Sequence, residues 1–315
     1  MIRAVKAEDL RVGMYVMLGE KAHMLPLFEE EFKISSDKQI INMIDKGVTF
    51  VDVDVDQSDV EVPLPDFNPI ESVGQELRET IEDASAPPET KAKAVYDHSI
   101  KMMKHVIEEP TAENILSGKR MIYDIVDLIL ADDDMAACLT QITSHDYYTY
   151  THSVNVGMLG VLLIKSVFRG STTHNMQELG AGFFLHDLGK CHVPADLINK
   201  PGKLTGEEFE EMKKHPAYGQ EILAETNHLT EECGHIIVQH HEREDGSGYP
   251  LGLQGYRIHI YARICSIADV YDALTSARAY KEKLPTFEAL RIMKEEMITH
   301  FHRELFDEFV MLFKP

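Results

Sequence analysis

Residues 176–190, MQELGAGFFLHDLGK, hold an apolar run with helical character that stops on the adjacent pair His186-Asp187. Imidazole nitrogen and carboxylate oxygen suit iron, manganese, cobalt or zinc, and an adjacent His-Asp pair lets one carboxylate bridge two ions. Working outward, further candidate ligands follow a fixed order: His152 before the pair, then His215, the adjacent His240-His241, and Asp269. Consecutive imidazoles at a helix end diverge by roughly 100°, so His240 and His241 can serve two ions, or one ion and a substrate. Asp269 stands in an apolar helical stretch, where a carboxylate buried without a partner is costly and a metal would supply that partner. So many imidazoles exclude magnesium and calcium, which take almost purely oxygen ligands. The expected cofactor is therefore a pair of divalent transition-metal ions, iron or manganese first, with zinc open.

Helical periods continue on both sides of this stretch. They are readable around Thr151–Phe168, Met176–His186, Thr205–Lys214, Ala217–Ala224, Cys233–His240, Tyr261–Ser276 and Thr286–Thr299, and in two upstream stretches beginning at Glu89. Between His241 and Asp269, Asp245-Gly246-Ser247-Gly248-Tyr249-Pro250 forces a loop beside the proposed ligands. The opening of the chain reads differently. Val12, Met14, Val16 and Leu18 alternate as in a strand across Leu10–Leu18, Ser35-Ser36-Asp37 starts a helix that Gly47 stops, and Val48–Val55 returns to strand. The expected fold class is mainly α: a small α/β domain over 1–65, an acidic proline-containing linker over 66–88, connecting helices over 89–140, and an all-α bundle over 141–315.

Composition excludes several function classes. The 315 residues carry a formal net charge of −22, and the first 90 hold 20 acidic against 8 basic side chains. Such a surface lacks the basic face that polymeric nucleic acid requires, whereas a small anion remains compatible if metal ions offset the field locally. No apolar run is long enough to cross a bilayer and no signal-peptide pattern opens the chain, so a cytoplasmic protein without membrane insertion is expected. Cys138, Cys191, Cys233 and Cys265 show no CxxC spacing and read as reduced thiols, Cys191 being a bystander near the metal motif. Of the sixteen histidines, most need no chemical role. His23, His98, His105, His145, His174, His192, His228, His235, His259, His300 and His302 are assigned to surface or packing positions.

Taken together, His186-Asp187-Leu188-Gly189-Lys190, Val193-Pro194, Lys200-Pro201-Gly202-Lys203-Leu204-Thr205, His215, His240-His241-Glu242, Asp245-Gly246, Gly248-Tyr249-Pro250 and Asp269 with Tyr271-Asp272-Ala273-Leu274-Thr275-Ser276 resemble the HD-GYP proteins of the HD hydrolase superfamily. The likeness spans about residues 140–315. A weaker one, resting on Leu10–Val16, links the N-terminal part to an accessory domain of unknown function that precedes many HD-GYP modules.

The resemblance implies an HD-type bundle and a metal-dependent phosphodiesterase acting on cyclic di-GMP, giving pGpG and in a second turnover GMP, in bacterial second-messenger signalling. Carried over by position, His152, His186, Asp187, His215, His240, His241 and Asp269 become metal ligands, and Asp187 also orients the nucleophile. Lys190 becomes a phosphate contact or proton donor. Tyr249 and Pro250 fall in the loop that meets guanine or ribose, and Asp272, Arg278 and Lys281 match positions near the ligand, although a solvated helix end explains the last two almost as well. Three-metal members carry a glutamate one helical turn before the first ligand histidine. Here that position is Tyr148, with Asp146 on another face, so two metals are expected. Two rival functions stay open: a degenerate HD-GYP sensor that signals through protein partners, and a hydrolase of another nucleotide such as cyclic GMP-AMP. A homodimer is also left open.

Overall fold

The computed structural model describes residues 2–19, 28–48, 50–62, 69–142, 149–200, 202–276 and 283–314. The chain divides into two compact units, residues 1–71 and 72–315.

The first unit is built on a four-stranded antiparallel sheet in the order β1 (Ile2–Lys6), β4 (Phe50–Asp54), β2 (Tyr15–Met17) and β3 (Glu31–Lys33). Val53 pairs with Arg3 on one side and Val16 on the other. Period-two alternation places Val51 and Val53 inside and Asp52 outside. Helix α1 (Asp37–Asp45) starts at Ser36, where the Gln39 side chain accepts the backbone N–H groups of Ser35 and Ser36, and Gly47 at φ +80° ends it. Met14, Val16, Ile34, Met43, Val51 and Val53 form its core.

The expected strand over Leu10–Leu18 shrinks to β2. Gly13 at φ +100° turns the chain and leaves Val12 exposed, so the alternation that looks continuous in sequence is broken there. Strands β1 and β3 were not anticipated: β3 has only three residues, and in β1 the adjacent Ala4 and Val5 break the alternation.

The second unit is all-helical among the described residues: α2 (Pro69–Glu82), α3 (Pro88–Glu108), α4 (Ala112–Ala131), α5 (Asp133–Gln141), α6 (Thr149–Val167), α7 (Met176–Leu185), α8 (Ala195–Ile198), α9 (Gly206–Met212), α10 (His215–Glu225), α11 (Glu231–Gln239), α12 (Ile260–Thr275), α13 (Thr286–Glu296) and α14 (Arg303–Met311). Helix α6 is buried on every side from Thr151 to Ile164, as a helix apolar all round must be, and it packs against α3, α7, α12 and α14. The rings of Phe183 and Phe184 on α7 lie directly over Gly160 and Gly157 of α6, each burial contributing about 1.5–3 kcal/mol.

The mainly α fold class, with an α/β part followed by an α-helical bundle, holds, and each helix expected from Thr151 onward is present within a few residues of its expected bounds. The division into segments differs. The break falls at Glu71/Ser72 rather than after residue 65, most of the expected linker over 66–88 is helix α2, and the helices over 89–140 pack into the bundle instead of leading to it. Helix α14, with Leu305, Phe306 and Phe309 buried, was not expected. No helix among the described residues is long and apolar enough to cross a membrane.

Candidate metal centre

The apolar run Leu179–Leu185 buries the whole end of α7, so the chain can only deliver His186 and Asp187 to the interior, where both are buried. A 3-10 turn over Leu188–His192 follows and presses against the start of α10. That approach requires glycine: a Cβ on Gly189 would lie 2.0 Å from the His215 carbonyl oxygen and 2.4 Å from the Gly219 nitrogen. His215 is thereby brought to Asp187. Helix α11 contributes His240 at its C-terminal end and His241 just beyond, α6 contributes His152, and α12 contributes Asp269.

Asp187 stands at the centre. Its Oδ1 faces His215 Nε2 at 3.3 Å and His240 Nε2 at 3.7 Å, while its Oδ2 faces His152 Nε2 and His186 Nε2, both at 3.5 Å. Asp269 closes the ring, with Oδ1 3.2 Å from His152 Nε2 and Oδ2 3.5 Å from His241 Nδ1. Two overlapping donor groups result, Asp187 with His215, His240 and His241, and Asp187 with His152 and His186. All seven expected ligands converge.

The outward nitrogens decide the chemistry. His186 Nδ1–H donates to the Phe183 carbonyl (2.8 Å), His215 Nδ1–H to that of Met212 (2.8 Å), and His240 Nδ1–H to that of Ile237 (2.9 Å). His152 Nδ1–H donates to Asp272 Oδ2 at 2.6 Å. Carbonyls and carboxylates only accept, so the proton sits on each Nδ1 and each Nε2 presents a lone pair to the centre. His215 Nε2 and His240 Nε2 are 3.3 Å apart and both face Asp187 Oδ1, and neither His186 Nε2 nor Asp187 Oδ1 has a hydrogen-bond partner among the described residues. Protons do not relieve this crowding of acceptors: burial pushes His186 and His215 down to about 3 and His241 well below its ordinary value. Burial acts to raise Asp187, but the Lys190 ammonium, 2.5 Å from its Oδ2, opposes it and the carboxyl is held well below the usual range. A dry set of nitrogen and oxygen lone pairs aimed at one another fits a resident cation.

The glycine-rich loop lies against this cluster. Gly248 has no room for a Cβ, which would sit 2.5 Å from the His241 carbonyl oxygen and the Glu242 Cα. Tyr249 donates its N–H to the His241 carbonyl (3.2 Å), and its ring packs 4.6 Å from that of His241. The Phe209 ring of α9 stands nearly perpendicular to that of Tyr249 with centroids 5.9 Å apart, and Pro250 is exposed.

Glu242 was quoted as part of a motif without a role. Its buried carboxylate accepts the N–H groups of Leu251 (2.7 Å) and Leu253 (2.8 Å), pinning the loop from beneath. A buried glutamate beside two ligand histidines was the available signal.

Asp272 stands behind His152. Read as a substrate contact, it is buried with its oxygens committed to His152 Nδ1–H, Asn155 Nδ2–H (2.6 Å) and the Ser276 hydroxyl (3.1 Å). It holds His152 from behind, and together with Tyr96 and Asn155 it also lines a small cavity. Arg278 and Lys281, the other expected substrate contacts, lie outside the described residues, as do Tyr148, Asp146, His23 and His145. The remaining histidines set aside from the sequence belong to neither donor group.

Residues 169–305 match the HD domain family model, and residues 2–117 match a domain of unknown function, DUF3391. The chain carries an HD domain. Its HD-GYP likeness extends to known proteins. A protein of Pseudomonas aeruginosa named a cyclic di-GMP phosphodiesterase is 36% identical over 60% of this chain and 45% of its own length. A Vibrio cholerae protein named 3'3'-cGAMP-specific phosphodiesterase 1 is 37% identical over 48% of this HD-domain chain and 34% of its own. The chain thus spans less than half the length of these two relatives. In fold, the solved structure of Bd1817, an HDG"Y"P protein from Bdellovibrio bacteriovorus, matches over 100% of both chains with a TM-score of 0.69 at 18% identity.

Proposed function

We propose that this HD-domain protein is a metal-dependent phosphodiesterase that opens a cyclic dinucleotide of the cyclic di-GMP kind. One observation carries the reading: Asp187 lies among two groups of imidazoles, and His186, His215 and His240 commit their Nδ1–H to backbone carbonyls, which leaves each Nε2 facing the centre. His152, His186 and Asp269 on one side and His215, His240 and His241 on the other would hold two divalent ions, iron or manganese first and zinc open, with Asp187 shared. Bound there, such a pair supplies Lewis acidity toward a phosphoryl oxygen and lowers the pKa of attacking water.

The chain's own residues do the rest. Asp187 fixes the spacing of the two donor groups and orients the nucleophile toward phosphorus. Lys190, half-buried beside it, offers the cation that offsets charge growing on the phosphoryl oxygens as the 3′-oxygen leaves, an effect that is stronger in a water-poor site. Tyr249 offers an aromatic face at the rim of the cluster, suited to a purine. Neither substrate role needs the basic surface that the charge of −22 denies.

The names of the relatives favour two purine ring systems, so the test compares them. Full-length protein purified without oxygen and supplied with Mn²⁺ or Fe²⁺ is expected to convert cyclic di-GMP to pGpG, and to turn over cyclic GMP-AMP more slowly. Two bound ions with no turnover of either dinucleotide would replace the enzyme with a nucleotide sensor; faster cleavage of the hybrid would reassign the substrate.

A further inference from the structure

The two donor groups around Asp187 are oriented by different means. His186, His215 and His240 donate Nδ1–H to carbonyls three residues back along their own chain, at 2.8, 2.8 and 2.9 Å. No side-chain substitution removes those acceptors. His152 instead relies on a relay of side chains from three helices. Its Nδ1–H donates to Asp272 Oδ2 on α12 (2.6 Å), Asn155 Nδ2–H on α6 donates to Asp272 Oδ1 (2.6 Å), and Tyr96 O–H on α3 donates to Asn155 Oδ1 (2.6 Å). All four side chains are buried.

We propose that Tyr96 is a positioning residue for one of the two metal ions, acting through Asn155 and Asp272 on His152. The reason is the symmetry of the amide. Asn155 can turn either its NH₂ or its carbonyl toward Asp272, and only the NH₂ is compatible with a carboxylate. Tyr96 supplies the donor that holds the carbonyl end away, so it selects the rotamer that restrains Asp272. Restrained on Oδ1, Asp272 keeps Oδ2 aimed at His152 Nδ1–H, and His152 then keeps Nε2 toward Asp187 and Asp269. Asn155 and His152 are three residues apart on α6, so both share the helix face that looks at α12. His215, His240 and His241 have no link to this relay among the hydrogen bonds described. Tyr96 therefore acts first on the His152–His186 half of the centre, which meets the other half through the carboxylates of Asp187 and Asp269.

The inference rests on the two-ion reading above, and its test separates the two. Full-length metal-free protein is titrated with Mn²⁺ alone, followed by calorimetry and by electron paramagnetic resonance, which distinguishes an isolated ion from a coupled pair. Wild type is expected to bind in two steps and give a coupled signal. Tyr96→Phe is expected to weaken one step about tenfold, the scale for outer partners of metal-ligating histidine, keep the other, and show an isolated-ion signal at intermediate Mn²⁺. Asn155→Ser should weaken the same step and covers the case in which Tyr96→Phe fails to fold. Equal weakening of both steps, or no change in either variant while wild type binds two ions, overturns the inference. A wild type that takes up no Mn²⁺ overturns the metal reading, and this inference with it.

Discussion

Helix α7 carries a buried polar cluster at each end, and the two are built on opposite principles. In its first turn Glu178 meets Lys119 Nζ at 2.7 Å, the Tyr123 hydroxyl, and the Thr230 hydroxyl at 2.9 Å, so its carboxylate is surrounded by donors. Just past its last turn, His186 and Asp187 lie among acceptors that outnumber donors. The first cluster is complete and ties α4, α7 and the start of α11 together. The second carries acceptors in excess, a balance that a bound cation would redress. Burial alone does not distinguish structure from function; the balance of donors and acceptors does.

The largest effect should come from breaking the incomplete cluster. Asp187→Ala removes the oxygen shared by both donor groups, and we expect loss of both Mn²⁺ binding steps and of all turnover. In wild type, Mn²⁺ at about 100 times its Kd should stabilise by about 2.7 kcal/mol per site, seen as a rise in Tm that the variant lacks. A metal content unchanged by the substitution would remove Asp187 from the centre.

Breaking the complete cluster should cost stability and spare metal stoichiometry. Lys119→Met leaves Glu178 buried without its cation, at about 3–5 kcal/mol, and adding Glu178→Gln should restore much of it, because the unpaired charge is then gone. Urea unfolding of the single and double variants measures both. A double variant no more stable than the single would show that the ion pair does not govern this end of α7.

A smaller change concerns the loop. Glu242→Gln keeps one acceptor for Leu251 and Leu253 but presents an NH₂ toward the other N–H, so the loop loosens over His241. About 1.5–3 kcal/mol of stability is at stake in a hydrogen bond to a charged group. KM for the dinucleotide should rise several-fold with metal binding unchanged, and a lowered kcat at constant KM would contradict the positioning role.

The smallest is a pH effect on the complete cluster. Burial acts to raise Glu178, but the hydrogen bonds from Lys119, Tyr123 and Thr230 outweigh it and leave its pKa below the ordinary 4.5. Its stabilising contribution is therefore fully present above 4.5 and fades as pH falls through the depressed folded value. Glu178→Gln should flatten the fall in stability below that pH, and parallel acid profiles would assign the loss elsewhere.

Much of this was legible before any coordinates. His186-Asp187, His240-His241 and Asp269 declare themselves by adjacency or by a charge in an apolar run, and the helices bearing them follow from period. Asn155 and Tyr96 were not singled out, since one polar residue in an apolar helix and an isolated tyrosine carry no pattern. The bond from His152 to Asp272 was not visible either, because a carboxylate near a ligand motif looks the same in sequence whether it faces a substrate or the back of a histidine.

Chain order and residue chemistry thus gave a helical bundle and a set of candidate metal ligands, since periodicity and donor type are local properties. Which oxygen of Asp187 faces which imidazole, the commitment of Asp272 to His152, and the chain of hydrogen bonds back to Tyr96 arise only when residues separated by up to 120 positions are packed together. Hydrogen-bond direction depends on distances that no local pattern encodes.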